Sequence, residues 1–281
     1  MAISAIPLSR HIGAEVRGVD LTKPLDDATR RQIYQLWLDH LILLFRDQRL
    51  DQEQLIDATS IFGEQAKSNR RAEYLPSGWA RLLDGIMLIS NIREHGIASG
   101  NLPDGEMWFH HDMLHVETPH KGTCLYAVEV PSVGGNTRFA SCYRAYETLS
   151  APLKERLEGR RAYHAYALGE AKRGDGKGVA QVNTSSHPVF RTHEETGRKA
   201  VYVNRLMTER IAGLSPEESG PLLAAVFDHS ENPEWVYEHV WRPHDLIVWD
   251  NRCSMHARTD FPEGERRLML RTTIAGNVRP S

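Results

Sequence analysis

The sequence predicts a mainly-β protein, a β-sandwich or barrel with helices at its periphery. One observation is the number of short apolar segments rich in β-branched and aromatic residues: CLYAVEV, NTRFA, HPVFRT, KAVYVN, WVYEHVW, DLIVWD and RLMLRTTIAG. Another is that Gly, Pro and Asn clusters separate them, as turns do between strands. The third is that helical periodicity is confined to a few stretches set between them. There is no fixed-period repeat and no composition break, so residues 1–281 are expected to form one domain.

In chain order, Asp26 or Asp27 caps a helix through ATRRQIYQLWLDH, with Ile33, Leu36, Trp37 and His40 close to one face. LILLF follows as a buried strand, and DQEQLIDATSIFG as a second helix stopped by Gly63. Residues 64–106 read mostly as loop with one strand at 86–90; 66–106 is a candidate lid. From 107 to 141 the pattern is strand-like, with PSVGG as a turn. Helical signals return in YRAYETLS and APLKERLEG. ALGEAKRGDGKGVAQ, residues 167–181, is rich in glycine and charge and reads as a mobile surface loop and second candidate lid. A last helix, SPEESGPLLAAVFDHS, opens on a capping box of Ser215 and Glu218.

Hydrophobic residues make up 41% and charged residues 25%, with a net charge of −3. That balance offers no global attraction to nucleic acid or to an anionic membrane. The longest apolar run, Leu41 to Phe45, is far too short to span a bilayer, and the N-terminus lacks the pattern of a signal peptide. Cys124, Cys142 and Cys253 are odd in number and form no CxxC pair, which points to a reducing cytoplasm.

Residues 109–115 read FHHDMLH. On a strand, positions i and i+2 share a face, so His110 and Asp112 are placed side by side while His111 points away. A shift of one residue would make His111 the partner, but adjacent residues of a strand face opposite ways. An isolated H-x-D occurs often by chance. Downstream, LIVWDNRCSMHAR runs an apolar strand into a polar turn and then His256, a candidate third ligand. Two histidines and one carboxylate on one side of an octahedral ion leave three positions open, the pattern of non-haem Fe(II) oxygen-activating sites. In RRLMLRTTIAG, period 2 puts Arg267, Met269 and Arg271 on one face and turns Arg266 outward. Arginines on an inward face are costly unless they meet anions, and a guanidinium fork grips a carboxylate well. An organic acid beside an open metal site follows.

With these residues, the chain resembles the TauD/TfdA family of Fe(II)- and 2-oxoglutarate-dependent dioxygenases. The likeness runs through HIGAEVRGVDLTKPL, LFRDQ, FGE, WFHHDMLHVETP, VPSVGGNTRF, HPVFRTH, DLIVWDNRCSMHARTDFP and RRLMLRTTIAG, in order. The resemblance implies a double-stranded β-helix (jelly roll, cupin-like) core. It implies that His110, Asp112 and His256 hold iron, and that Thr137 and Arg267 bind the distal carboxylate of 2-oxoglutarate. Arg271 then lies near the C1 carboxylate or an acidic group of the substrate. It further implies O2 as co-substrate, succinate and CO2 as products, hydroxylation of a small organic acid such as a sulfonate, carboxylate or aryloxyalkanoate, and a homo-oligomer (dimer or tetramer).

Departures matter for the substrate. Taurine-oxidising members carry an asparagine where Glu106 stands, and a histidine shortly after FGE where this chain reads QAKSNRR, so taurine is not the expected substrate. Glu106, His115 and His164 are further pocket candidates; His164, in RAYHAY, fits a hydrogen-bonded core position equally well. Lys67, Arg70, Arg71, Lys172 and Arg173 could receive an anion or simply solvate loops. Two other classes are compatible with such a barrel. A Zn- or Mn-dependent hydrolase or isomerase leaves Arg267 and Arg271 without a purpose, and a non-catalytic small-molecule binder has no need of open metal positions.

Overall fold

The computed structural model describes residues 3–67, 75–100, 102, 105–166 and 183–281. The chain opens with β1 (Ser4–Pro7), β2 (Ala14–Arg17), α1 (Asp27–His40), β3 (Ile42–Phe45), α2 (Gln52–Ser60) and β4 (Met87–Ser90). A small hairpin, β5 (Arg93–Glu94) and β6 (Ile97–Ala98), leads to β7 (Met107–His110), β8 (Gly122–Glu129) and β9 (Thr137–Ser141). Then come α3 (Cys142–Thr148), α4 (Ala151–Leu157), β10 (Arg161–Tyr166), β11 (Asn183–Pro188), β12 (Phe190–Thr192), β13 (Lys199–Val201) and β14 (Thr208–Ile211). The last part holds α5 (Pro216–Ser230), β15 (Val236–His239), β16 (Leu246–Asp250), β17 (Ser254–Arg258) and β18 (Leu268–Ile274).

The helix starts follow the caps in the sequence. Asp26 accepts from the Thr29 amide, and Asp51 with Gln54 and Ser215 with Glu218 form reciprocal capping boxes. These boxes satisfy backbone donors that the first turn leaves without partners.

Two sheets carry the core, in keeping with the mainly-β fold expected. The larger has the order β1-β2-β3-β16-β8-β18-β4 and the smaller β15-β9-β17-β7. Strand alternation sorts the side chains between two layers. Leu43, Phe45, Leu246, Val248, Leu268 and Leu270 face Ile33 and Trp37 of α1 and Leu55 of α2. Ile42, Leu44, Ile247, Trp249 and Met269 face the other way, meeting Phe139, Ala140 and Met255 of the smaller sheet. Both faces of β3 and β16 are covered, which accounts for their unbroken apolar runs, and each large side chain buried contributes on the order of 2 kcal/mol. Because Met269 points between the sheets, Arg271 two residues on points there too.

A third layer, β11-β10-β14 with the β12–β13 hairpin, packs with α3 and α5 around Val201, Ile211 and Val226. The strand character of RAYHAY, TERI, SMHAR and the N-terminal β1 and β2 is additional to the sequence expectation. No helix among the described residues is long and apolar enough to cross a membrane.

Candidate metal centre

Residues 110 and 256 are direct cross-strand partners of β7 and β17, so sheet register alone brings the two imidazoles together. Their ring centroids lie 4.1 Å apart. The Nε2 atoms of His110 and His256 are each 3.9 Å from Asp112 Oδ1, a separation that leaves room for an ion between them. Among the described residues these three side chains present ligand atoms that all lie within 4.8 Å of one another.

Asp112 reaches this point differently from the sequence expectation. β7 ends at His110, and Asp112 sits in the tight turn that follows, where Met113 has a φ of 58°. The strand period therefore pairs His110 with Asp112 by a geometry that does not extend to the second of them. The turn is held from behind. Ser185 Oγ donates to the Leu114 carbonyl at 2.7 Å, and His187 Nε2 lies 2.9 Å from the Val116 carbonyl.

The hydrogen-bond partners fix which atoms are free to ligate. His110 Nδ1 is 2.8 Å from the Trp108 carbonyl, which only accepts, so Nδ1 carries the proton and Nε2 keeps its lone pair. Asp112 Oδ2 accepts from Thr123 Oγ1 and from Arg271 Nη2, both at 2.7 Å, which leaves Oδ1 as the oxygen able to ligate. Burial works to protonate Asp112, but Arg271 and the two imidazoles hold its pKa well below the usual carboxylate range. Burial pushes His110 and His256 down, keeping both neutral, as ligands must be.

His111 turns away into a separate buried pocket. Asn204 donates to its Nδ1 at 3.2 Å, and its Nε2 faces the Cys142 thiol at 3.5 Å, so both ring nitrogens are engaged. Burial pushes its pKa down to about 3. His164 is sealed nearby, with Nδ1 3.0 Å from Thr208 Oγ1 and its ring stacked on His187. Its neighbours are those of a core histidine, not the three converging groups.

Arg267 is 2% exposed, and its Nε and Nη1 have no partner among the described residues. Burial, then repulsion from Arg258, pushes its pKa down to about 9, so it remains charged at neutral pH. Gly135 packs against it: a Cβ there would lie 3.4 Å from Arg267 Nε and 2.8 Å from Pro131 Cγ. With φ at +64°, the position is suited to glycine twice over. Thr137 is buried, and its Oγ1 accepts from Trp241 Nε1 at 3.0 Å, which leaves the hydroxyl proton to be donated. Arg266 is exposed and pairs with Glu129; it and Arg267 lie just before β18, which begins at Leu268, so the strand period expected to sort the two arginines does not reach them.

Glu106 is exposed just before β7. His115 is buried with its ring 5.5 Å from Tyr166. The sequence reading does not single out His120, whose Nδ1 is buried without a partner among the described residues and whose pKa is lowered by burial, with Asp112, Arg271 and His115 among the charges acting on it. Arg258, placed opposite Thr137 by the β9–β17 register, also went unread; its position two residues after His256 was the available signal. Arg70, Arg71, Lys172, Arg173 and the whole candidate lid 167–181 lie outside the described residues, as does part of 66–106.

A second cluster, His193, Asp250 and Cys253, is not free to bind a cation. Arg252 holds both Asp250 oxygens, at 2.8 and 2.6 Å, and His193 adds a contact at 3.1 Å. A guanidinium already occupies that carboxylate.

Residues 4–273 match the family described as "Taurine catabolism dioxygenase TauD, TfdA family". The chain is 33% identical to an (S)-phenoxypropionate/alpha-ketoglutarate-dioxygenase of Sphingobium herbicidovorans, over 98% of this chain and 96% of that one. It is 31% identical to an alpha-ketoglutarate-dependent 2,4-dichlorophenoxyacetate dioxygenase of Cupriavidus pinatubonensis, over 97% and 98%. The solved structure of AAD-2 in complex with Mn(II) and N-oxalylglycine superposes with a TM-score of 0.82 at 28% identity, covering 100% of both chains. The donor set and the bare guanidinium suit the cofactors of such enzymes. The chain belongs to the TauD/TfdA family and is an alpha-ketoglutarate-dependent dioxygenase, an oxidoreductase that uses Fe(II), 2-oxoglutarate and O2.

Proposed function

We propose that His110 Nε2, Asp112 Oδ1 and His256 Nε2 hold the iron, that Arg267 and Thr137 grip the distal carboxylate of 2-oxoglutarate, and that the substrate is a small aryloxyalkanoic acid. The observation that carries this reading is the convergence of three ligand atoms on one side, with the buried guanidinium of Arg267, unpartnered among the described residues, just before the strand that brings Arg271 to Asp112. The iron, with 2-oxoglutarate and O2, supplies the oxidation of a substrate C–H bond, giving succinate and CO2. The protein's residues supply placement. Arg267 meets one carboxylate end of the co-substrate with two N–H groups in a fixed plane, and Thr137 adds a hydroxyl donor. Arg271, half-buried beside Asp112, presents the remaining positive charge toward the acid group of the substrate. Trp249, with its ring 4.6 Å from His256, and Phe139 keep that flank of the imidazole dry.

The aryloxyalkanoate class is supported by two relatives named for phenoxypropionate and 2,4-dichlorophenoxyacetate. Hydroxylation of the carbon beside the ether oxygen would give a hemiacetal, or a hemiketal from phenoxypropionate, whose C–O bond breaks to release a phenol and leave that carbon as the carbonyl of a 2-oxo acid. Buried free cysteines support a reducing, cytoplasmic setting. The test is a panel of acids scored by succinate release: phenoxypropionate, 2,4-dichlorophenoxyacetate, taurine and a simple fatty acid. Aryloxy acids should exceed the others and the substrate-free rate, with phenol appearing in step. Equal, background-level succinate from every aryloxy acid would refute the substrate class.

A further inference from the structure

Trp249, Asn251, Thr123 and Asp112 form a continuous buried line of hydrogen bonds. Trp249 Nε1 donates to Asn251 Oδ1 at 2.9 Å, Asn251 Nδ2 to Thr123 Oγ1 at 3.1 Å, and Thr123 Oγ1 to Asp112 Oδ2 at 2.7 Å. Asn251 and Thr123 are fully buried and Trp249 is 1% exposed.

The direction of this line is not a matter of choice. An indole N–H only donates, so the oxygen of the Asn251 amide faces Trp249. The amide nitrogen then faces Thr123 and must donate to it. With one lone pair taken by that bond, the single hydroxyl proton of Thr123 is left for the neighbouring carboxylate. Each donor is thus committed by the one before it, and the chain ends on Asp112 Oδ2 in one polarity only.

We propose that Thr123 is a positioning residue: fixed by Asn251 and Trp249, it ties down the outer oxygen of Asp112 so that this ligand gives the metal a single oxygen, Oδ1, a role that rests on His110, Asp112 and His256 being the ligands. Arg271 takes the same outer oxygen, but its side chain is 20% exposed and therefore open to solvent. The buried hydroxyl is the part of the clamp that an arriving anion cannot draw away. A carboxylate swinging round to bind through both oxygens would consume a coordination position that co-substrate or O2 requires. Outer groups of this kind orient ligands and tune metal affinity by roughly 10- to 100-fold.

The experiment is Co(II) titration of the purified full chain, without 2-oxoglutarate, followed by visible absorption. Thr123→Val keeps the shape and removes the hydroxyl; Thr123→Ser keeps the hydroxyl. The valine variant should bind Co(II) about 10- to 100-fold more weakly with a shifted visible band, and the serine variant should restore both. Wild-type affinity and band in Thr123→Val would overturn the proposal while leaving the ligand set intact, as would a serine variant that behaves like the valine one. No Co(II) binding by the wild type would remove the ligand set and this role with it. If Thr123→Val lacks a cooperative thermal melt, Thr123→Ala makes the same comparison against Thr123→Ser.

Discussion

Arg267 is the residue whose energetics most directly expose the site's purpose. A buried guanidinium with Nε and Nη1 unpartnered costs several kcal/mol in the ligand-free protein, and a carboxylate removes that cost. Replacing it therefore moves stability and function in opposite directions. Arg267→Met should raise the thermal midpoint of the ligand-free chain, because an unpaired buried charge is gone. The same change should raise the 2-oxoglutarate requirement by about 100-fold, from loss of charged hydrogen bonds worth about 1.5–3 kcal/mol. Calorimetry and succinate release as a function of 2-oxoglutarate read the two effects; an unchanged requirement means that another group holds the distal carboxylate. Asp112→Ala and His256→Ala should abolish retention of Fe(II) through dialysis while the far-ultraviolet circular dichroism stays that of the wild type. Retained iron in either variant would remove that residue from the ligand set.

At the scale of elements, the site is built by one cross-strand register and two turns, and these were unequally legible in the sequence. The capped helices and the buried strands LILLF and DLIVWD announce themselves through local signals, caps and continuous apolar runs. SMHAR does not, because a strand buried at every position yet carrying Ser, His and Arg shows no alternation; it reads as a turn. The Asp112 turn was equally hidden, since its shape depends on Ser185 and His187 from a distant strand. The Thr123–Asn251 contact spans 128 residues of sequence, beyond any local pattern. The VGG turn was legible only as a turn, though its second glycine also shapes the wall around Arg267. Gly135→Ala forces a side chain into positive φ and against Pro131 Cγ, which should destabilise the chain by about 1–2 kcal/mol. It should also raise the 2-oxoglutarate requirement while leaving metal affinity near wild type. Co-substrate saturation curves beside Co(II) titrations separate the two, and a loss confined to metal affinity would contradict this placement.

At the scale of the whole molecule, buried neutral imidazoles couple folding to pH. His164 and His187 stack on each other in the layer behind the turn that carries Asp112, and burial pushes their pKa values down to about 2 and about 4 from 6.5. When the chain unfolds, both return to ordinary values. Below pH 6.5 the unfolded state therefore binds more protons than the folded state, so stability is full above that pH and falls as the solution is acidified. Each contributes a loss of about 2 kcal/mol at pH 5 relative to pH 7.5. The paired carboxylates Asp112 and Asp250, whose pKa values are depressed, act in the same sense but only below their unfolded value of 3.8. The window between pH 6.5 and 5 thus belongs to histidines. His110 and His256 add to it in the metal-free chain, because burial lowers them as well. His187→Gln keeps a side-chain N–H for the Val116 carbonyl but has nothing to titrate, so its thermal midpoint should fall less steeply than the wild type's between pH 7.5 and pH 5. Parallel curves for the two proteins would mean that His187 is not held neutral by the fold, and that the support behind the turn tolerates a charge.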